Sequence, residues 1–359
     1  MNIIDYIKEN QEALKKENFN EIDGLILSQL AYIRFENIPH RKRVKLSAYG
    51  KMEYFKKMFC DDISDDKNEE LFINCILSPR FRNIKILDYK AISTEEEQFA
   101  GFLFAINGIK YLAFRGTDGN MSGWKENFTL AYNKNMPAQV HALEYLKKLN
   151  KFNKIDYIGG HSKGGNLAVY SSLLSGCGIP TYCFDGPGFS SDFKLTSENI
   201  HKYIPEASVV GCLLSTNENV FCVKSSSSLI MQHSAFSWEI ENNRFVSGEQ
   251  SSVSKYIEHS LSNWLKSISN EEKEIFVETL FHTLAENNIS TVKDLKEMSK
   301  KDFAMLLGSF GNASPEIRNT IKALLRELQK ESVRQILPQY KISELLKHPQ
   351  EGGEAPPEN

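Results

Sequence analysis

The segment "GGHSKGG" places a serine at the centre of a G-x-S-x-G spacing, with Gly160 and Gly164 on either side of Ser162. The preceding run "IDYIGG" is apolar and typical of a buried strand, and the following "GGNLAVYSSLL" has the apolar spacing of a helix. A serine at such a turn is exposed at the carboxyl end of a strand. The helix that begins there directs its free N–H groups at the same point and favours negative charge. We therefore predict that Ser162 is a nucleophile.

A serine hydroxyl needs a neighbouring base to accept its proton, and a third group normally orients that base. Where this turn carries a triad, the order along the chain is serine, acid, histidine. His233, in "IMQHSAFSW", follows a predicted strand at the expected active face and is the preferred base. The other later histidines lie in predicted helices or near the tail: His201, His259, His282 and His348. His161 projects away from its neighbour Ser162 and is expected to support the turn.

Two carboxylates are candidates for the acid. Glu218, in "LLSTNENVF", comes directly after a predicted strand and is the preferred one. Asp185, in "CFDGPGF", also ends a predicted strand, one element earlier, and is the alternative. A triad is defined by geometry, so the sequence leaves both open.

The negative oxygen that forms during acyl transfer needs hydrogen-bond donors. The backbone N–H of Lys163, the residue after the nucleophile, is predicted to be one of them. The second is expected from a loop after an earlier strand, and "YLAFRGTDGN" ends such a strand. This chemistry requires no metal or other cofactor, and none is predicted. The six cysteines form no C-x-x-C pair and are expected to be reduced residues, most of them in the core.

The elements that must position these residues alternate between strand and helix along the chain. Strands are predicted at "KILDYKAI", "QFAGFLFAI", "IKYLAFRG", "PTYCFD", "SVVGCLLS" and "VFCVKS", with a short helix near residue 200. Hairpin turns are expected at Asn107-Gly108 and Asn242-Asn243, and an N-terminal helix is expected to be capped near Asn20. This alternation predicts an α/β fold, with a mostly parallel sheet and flanking helices.

Three regions are expected along the chain. Residues 1–250 should form the sheet-containing domain together with N-terminal helices. Residues 251–338 contain amphipathic helical patterns and are predicted to be a helical extension. The polar, Pro- and Gly-rich residues 339–359 are expected to be a disordered tail.

Composition narrows the range of partners. The chain has 359 residues with 43 basic and 46 acidic ones, a formal charge of −3, which gives no reason to expect nucleic acid or an anionic membrane as a partner. The N-terminus lacks the pattern of a signal peptide, and no apolar run has the length of a membrane-spanning helix. A cytoplasmic location is therefore expected.

Several motifs together carry a family resemblance. "AFRGT", "GWKENFTLAY" and "GGHSKGGNLA" resemble the pattern of class 3 lipases. "FNEIDGLILSQLAYIRFE", "FRGTDG", "GGHSKGGNLAVY", "FDGPGF" and "QHSAFSW" resemble the Mbeg-like family of bacterial α/β hydrolases of unknown function, over residues 17–245. The resemblance implies an α/β-hydrolase fold and a Ser-His-acid triad, and it implies that Thr117 supplies the second donor through its N–H, helped by its hydroxyl. Class 3 lipases usually have an apolar or neutral residue in place of Lys163 and an aspartate where this chain has Glu218 or Asn219.

These residues favour a serine hydrolase that cleaves an ester or another acyl bond, a carboxylic ester hydrolase or lipase-like enzyme. The alternative is a non-catalytic protein that uses the same fold for binding or scaffolding, with the helical extension docking a protein partner. The expected substrate is a soluble or modest acyl ester, followed by an intracellular lipid or lysophospholipid. Four apolar side chains are candidates for lining an acyl pocket: Phe114, Met121, Trp124 and Phe128.

Overall fold

A central sheet forms the framework of the protein. The computed structural model describes residues 294, 299 and 308 and residues 1–290, except 40–42, 61–64, 95–96, 118–120, 131–135, 190–197, 215–218 and 228. Within these residues the sheet has seven strands in chain order, antiparallel from the first to the third and parallel from the third to the seventh. The strands are β1 (Lys85–Ser93), β2 (Gln98–Ile106), β3 (Ile109–Phe114), β4 (Tyr157–His161), β5 (Thr181–Phe184), β6 (Ile200–Pro205) and β7 (Val220–Val223). A separate hairpin joins β8 (Ile240–Glu241) to β9 (Arg244–Phe245).

Helices lie on both faces of this sheet. In the described residues they are α1 (Ile3–Glu9), α2 (Glu21–Leu30), α3 (Met52–Met58), α4 (Asp65–Leu77), α5 (Met121–Thr129), α6 (Pro137–Asn150), α7 (Lys163–Ser175), α8 (Ser252–Ser267) and α9 (Asn270–Glu286). Short 3₁₀ helices cover Lys16–Asn18, Phe35–Asn37, Leu46–Tyr49, Leu229–His233 and Ala235–Ser237.

The two faces of β2 show how the sheet is covered. Phe99 and Leu103 pack with the apolar residues of α6 and α7, whereas Phe102 and Phe104 pack with those of α1, α2 and α4. Successive side chains of a strand point to opposite faces, so a nearly continuous apolar run is what a strand buried on both sides requires. The mostly parallel sheet with flanking helices of an α/β-hydrolase fold is confirmed.

The N-terminal helix α2 begins where the sequence predicts. Asn20 caps it, because its side-chain oxygen accepts the N–H groups of Ile22 at 3.0 Å and Asp23 at 3.1 Å. Asp23 itself is fully buried and pairs with Arg80, which donates from Nη2 at 2.7 Å. This pair fixes α2 to the segment that leads into β1.

Two predicted elements are wrong. The short helix expected near residue 200 is strand β6, whose polar residue Lys202 hides the strand pattern but is buried, with its Nζ donating to the Gly211 carbonyl at 2.7 Å. The strand expected over 208–215 is a series of turns in its described part, with Leu213 N–H donating to the Val210 carbonyl. Its apolar run reflects burial of a loop rather than pairing of a strand.

The two helices after residue 250 pack against the sheet-containing region. Ser254 on α8 donates from Oγ to the Ser208 carbonyl at 2.5 Å. On α9, Glu278 pairs with Lys125 of α5 at 2.7 Å, and the ring centroid of Phe281 lies 5.7 Å from that of Phe128. The helical pattern "PEIRNTIKALLRELQKESV" and the predicted tail lie outside the described residues. The division of the chain near residue 250 stays a prediction.

All six cysteines lie in the described residues as free thiols; three are buried and Cys60 is exposed. In the same part of the chain, no group of three or more His, Cys, Asp or Glu side chains is arranged to hold a metal ion. The helices described there are too short or too polar to span a membrane.

Candidate active site

The turn at Ser162 joins β4 to α7 in a strained conformation. Ser162 has φ 57° and ψ −132°, a combination that residues with a Cβ rarely adopt. Its N–H donates to the Phe184 carbonyl at 2.9 Å, which holds the turn against β5. A Cβ on Gly160 would overlap the backbone of Gly164, and a Cβ on Gly164 would overlap the Phe114 carbonyl. Both glycines of the motif are therefore required by the close approach of β3, β4 and α7.

The register of the parallel strands brings the predicted site residues to one edge of the sheet. Phe114 of β3 is level with Gly160 of β4, and His161 at the end of β4 is level with Phe184 of β5. The residues that follow these three strands leave the sheet side by side, at the carboxyl ends where ligands bind in open parallel sheets.

Asp185 is the carboxylate in contact with the predicted base. Its Oδ2 lies 2.6 Å from Nδ1 of His233. Its Oδ1 accepts Ser208 Oγ at 2.5 Å and the Gly211 N–H at 3.1 Å, and the residue is fully buried. Burial raises the pKa of the Asp185 carboxyl. The hydrogen bonds from His233 and from the Ser208 hydroxyl, together with the charge of His233, outweigh burial and hold this pKa below its usual value. Asp185 is therefore ionised at neutral pH.

Glu218, the acid preferred from the sequence, lies outside the described residues. The sequence favours Glu218 because a strand is expected just before it, but the described residues 208–214 form no strand. One imidazole nitrogen makes one hydrogen bond, and that of His233 Nδ1 is made with Asp185. The hydrogen bond that orients His233 is thus made by Asp185, the second candidate acid.

His233 is held at the end of the 3₁₀ helix Leu229–His233 by the residue before it. The Gln232 side-chain oxygen accepts the Ala207 N–H at 2.7 Å, and its carbonyl accepts the indole N–H of buried Trp238 at 2.8 Å. The His233 side chain is 21% exposed, whereas Ser162 is buried. The "QHSAFSW" motif therefore presents the imidazole at the surface of the site.

The two predicted oxyanion donors lie at the ends of neighbouring strands. Thr117 follows β3, and its Oγ1 accepts a hydrogen bond from Asn127 Nδ2 at 2.9 Å. Lys163 is the first residue of α7, so its N–H has no acceptor within the helix. Gly116 lies between the end of β3 and Thr117, and a Cβ on it would lie 2.6 Å from the His161 carbonyl oxygen. The segment before Thr117 thus runs directly alongside the serine turn.

The Lys163 side chain forms a buried ion pair that the sequence analysis missed. Its Nζ lies 2.5 Å from Glu126 Oε2 on α5 and donates to the Gln98 carbonyl at 2.7 Å. Both Lys163 and Glu126 are more than nine-tenths buried, and Glu126 Oε1 makes no hydrogen bond within the described residues. The pair links α5 to the start of α7. Class 3 lipases usually have an apolar or neutral residue at the position of Lys163, so its charge was the signal in the sequence that could have indicated this pair.

Glu126→Ala should lower the free energy of unfolding by roughly 3–5 kcal/mol, because it leaves the Lys163 ammonium buried without a counter-charge. The double variant Lys163→Met/Glu126→Leu should recover most of that loss, since apolar side chains of similar size can replace a buried pair at little cost. Urea unfolding of the two variants and the wild type measures the difference. Equal destabilisation by the single and double variants would contradict this account.

Arg115 holds the "FRG" turn against the segment that follows α2. Its guanidinium donates to the carbonyls of Ala31 at 2.6 Å and Ile33 at 3.0 Å, and it pairs with Glu36. It therefore satisfies carbonyl groups after the end of α2 and fixes that segment beside the site.

The four apolar residues suggested as a pocket lining have different environments. Phe114 is fully buried in the core, and Phe128 packs on Phe281 of α9. Trp124 is partly buried, and the side chain of Met121 is outside what the structure describes. Phe114 is therefore a core residue, and the pocket assignment is wrong for it.

A match to a known protein family agrees with the motifs. The sequence profile of the Mbeg1-like family matches residues 75–282, more than half of the chain. Among solved structures, the Lip2 lipase from Yarrowia lipolytica is similar with a TM-score of 0.33 and 12% identity, over 60% of this chain and 81% of that one. No curated protein matches the chain. The family profile begins within α4 and includes β1 to β9, the serine turn and His233. On this match the chain belongs to the Mbeg1-like family.

Proposed function

We propose that the protein is a serine hydrolase that cleaves an ester or another acyl bond, with Ser162 as nucleophile, His233 as base and Asp185 as acid. The observation that carries this proposal is the 2.6 Å contact between His233 Nδ1 and buried Asp185, beside a serine on a strained strand-to-helix turn. Each of the three residues lies at or after the end of a different element, and such convergence is what a triad requires.

In the proposed reaction, Ser162 Oγ attacks the carbonyl carbon while His233 Nε2 accepts the hydroxyl proton. The ionised Asp185 holds the Nδ1–H form of the ring and stabilises the imidazolium. The backbone N–H groups of Lys163 and Thr117 bind the negative oxygen of the tetrahedral intermediate. His233 then protonates the leaving group, and an acyl ester of Ser162 remains. Water activated by His233 hydrolyses this ester and restores the free serine.

Labelling with a fluorophosphonate probe tests the proposal, because such probes phosphonylate an activated serine. The wild type and Ser175→Ala, a variant in the last turn of the same helix, should be labelled at equal rates, and Ser162→Ala should not be labelled. Mass spectrometry should locate the adduct on Ser162. Equal labelling of Ser162→Ala would refute the nucleophile. A wild type without labelling that instead binds a protein partner stoichiometrically would support the alternative, a binding or scaffolding protein.

We expect short acyl chains to be preferred over long ones. Phe114 is buried in the core, and Phe128 packs against Phe281 of α9. Neither side chain therefore supports a long apolar groove. With p-nitrophenyl esters of increasing chain length, kcat/KM should peak between acetate and hexanoate. Activity confined to long chains and increased by micelles would instead indicate a lipase.

A further inference from the structure

The imidazole of His161 lies between the main chain of the proposed base and a tyrosine just after helix α2. His161 Nε2 is 2.7 Å from the His233 carbonyl oxygen, and Nδ1 is 3.0 Å from the Tyr32 hydroxyl. A carbonyl oxygen can only accept, so Nε2 carries the hydrogen. In a neutral ring Nδ1 then accepts, and the Tyr32 hydroxyl is its donor. The contact with the His233 carbonyl therefore specifies the Nε2–H tautomer of His161, and the Tyr32 hydroxyl is compatible with it.

The ring is held neutral. Burial of the ring and the nearby charge of His233 lower the pKa of His161 to about 3, well below the ordinary value for histidine. The His161 and His233 ring centroids are 4.7 Å apart, so a charge on one ring would oppose a charge on the other. His161 therefore remains an uncharged donor while His233 is free to take up the proton of Ser162.

Tyr32 brings a third part of the site into this network. Its single hydroxyl hydrogen is shared between His161 Nδ1 and the His161 carbonyl oxygen, which lies 3.3 Å from the hydroxyl. A Cβ on Gly116 would overlap the same hydroxyl. Gly116 belongs to the segment that leads to Thr117. One tyrosine side chain just after α2 thus contacts both the serine turn and the segment of the proposed second oxyanion donor. Tyr32 lies outside the residues matched by the family profile.

We propose that His161 is a positioning residue for the hydrolysis proposed above, on which this inference rests, and that its Nε2–H fixes the main chain of His233 while the Tyr32 hydroxyl holds the opposite side of the ring. Asp185 holds the imidazole of His233 at Nδ1, and His161 holds the carbonyl of the same residue. With both ends of His233 held, Nε2 can point in one direction only. Both ring nitrogens of His161 are engaged in these contacts, so its role is exerted through His233 rather than on the reacting atoms.

Two substitutions of His161 distinguish this role from simple packing. His161→Leu removes the donor and should lower kcat by about 10²-fold with little change in KM, as a displacement of a reacting group by about 1 Å does. His161→Gln retains an N–H at nearly the same place and should recover most of that loss. Tyr32→Phe, which removes only the hydroxyl, should cause a smaller loss in kcat. A kcat within twofold of wild type for His161→Leu, or equal impairment of the Leu and Gln variants at equal stability, would overturn the proposal.

A spectroscopic measurement on the wild-type chain tests the network without turnover. Nitrogen NMR of ¹⁵N-histidine-labelled protein, with the His161 signals assigned from their loss in His161→Gln, should show a neutral Nε2–H ring down to about pH 5. An Nδ1–H tautomer or a charged ring at that pH would refute the network. A wild type that neither turns over esters nor reacts with the fluorophosphonate would refute the proposed function instead, and the NMR result would still decide whether the His161 contacts exist.

Discussion

Replacing Ser162 with alanine should lower acyl hydrolysis by up to about 10⁶-fold, the largest effect expected of any single substitution in this chain. The variant has no hydroxyl to attack the carbonyl. The backbone donors at Lys163 and Thr117 can then assist only the direct attack of water on the substrate. Alanine keeps a Cβ at this position, so the backbone conformation with φ 57° stays as strained as in the wild type. The fold should therefore survive.

Steady-state turnover of a p-nitrophenyl ester, together with thermal unfolding, provides the measurement. Ser175→Ala is the matched control, because Ser175 ends the same helix and its Oγ donates to the Ser172 carbonyl within that helix. It should turn over substrate like the wild type. A Ser162→Ala variant with more than a tenth of the wild-type rate would show that another residue attacks the substrate.

Asp185→Asn should lower the rate by about 10⁴-fold, as loss of the orienting carboxylate does in serine proteases. Ser208 and the Gly211 N–H both donate to Oδ1, so an asparagine can keep its oxygen on that side. Its amide NH₂ then faces His233 Nδ1 and forces that nitrogen to accept. The proton moves to Nε2, which can no longer accept the proton of Ser162. The substitution thus changes the tautomer rather than the fold.

Glu218→Gln is the control for the other candidate acid, and its turnover should stay near the wild-type value. Both variants should be assayed for kcat and for thermal stability, so that a rate loss can be separated from unfolding. A crippled Glu218→Gln beside a nearly normal Asp185→Asn would reverse the assignment of the acid.

Local patterns were sufficient to predict most of the sheet and the serine turn. The strand β4, the glycines around Ser162 and helix α7 are adjacent in the sequence, so their pattern contains the whole turn. The turn at Asn107-Gly108 is equally local, and both residues have the positive φ that such a hairpin turn requires. Strand β6 was missed because Lys202 looks exposed by its chemistry but is buried with a hydrogen-bonded ammonium.

The acid and the supporting residues depended on contacts that no local pattern contains. The buried run around Val210 looks like a strand by composition, and this displaced the choice of acid from Asp185 to Glu218. Neither Tyr32, just after α2, nor Glu126, on α5, stands out in the sequence; the fold places them against His161 and Lys163. Periodicity reports which face of an element is buried, but it does not report which side chain lies opposite.

The contacts of His161 also bear on when the proposed activity would arise during folding. Tyr32 and His161 are 129 residues apart, and His161 and His233 are 72 apart, whereas β2 and β3 are joined by a tight turn. Closing long loops costs more chain entropy than closing short ones, so contacts of high separation form slowly. A chain that has formed its β1–β3 meander and α7 would have much of its secondary structure and no arranged triad. In refolding, hydrolytic activity should therefore return after the circular dichroism signal, as a late reporter of the native state.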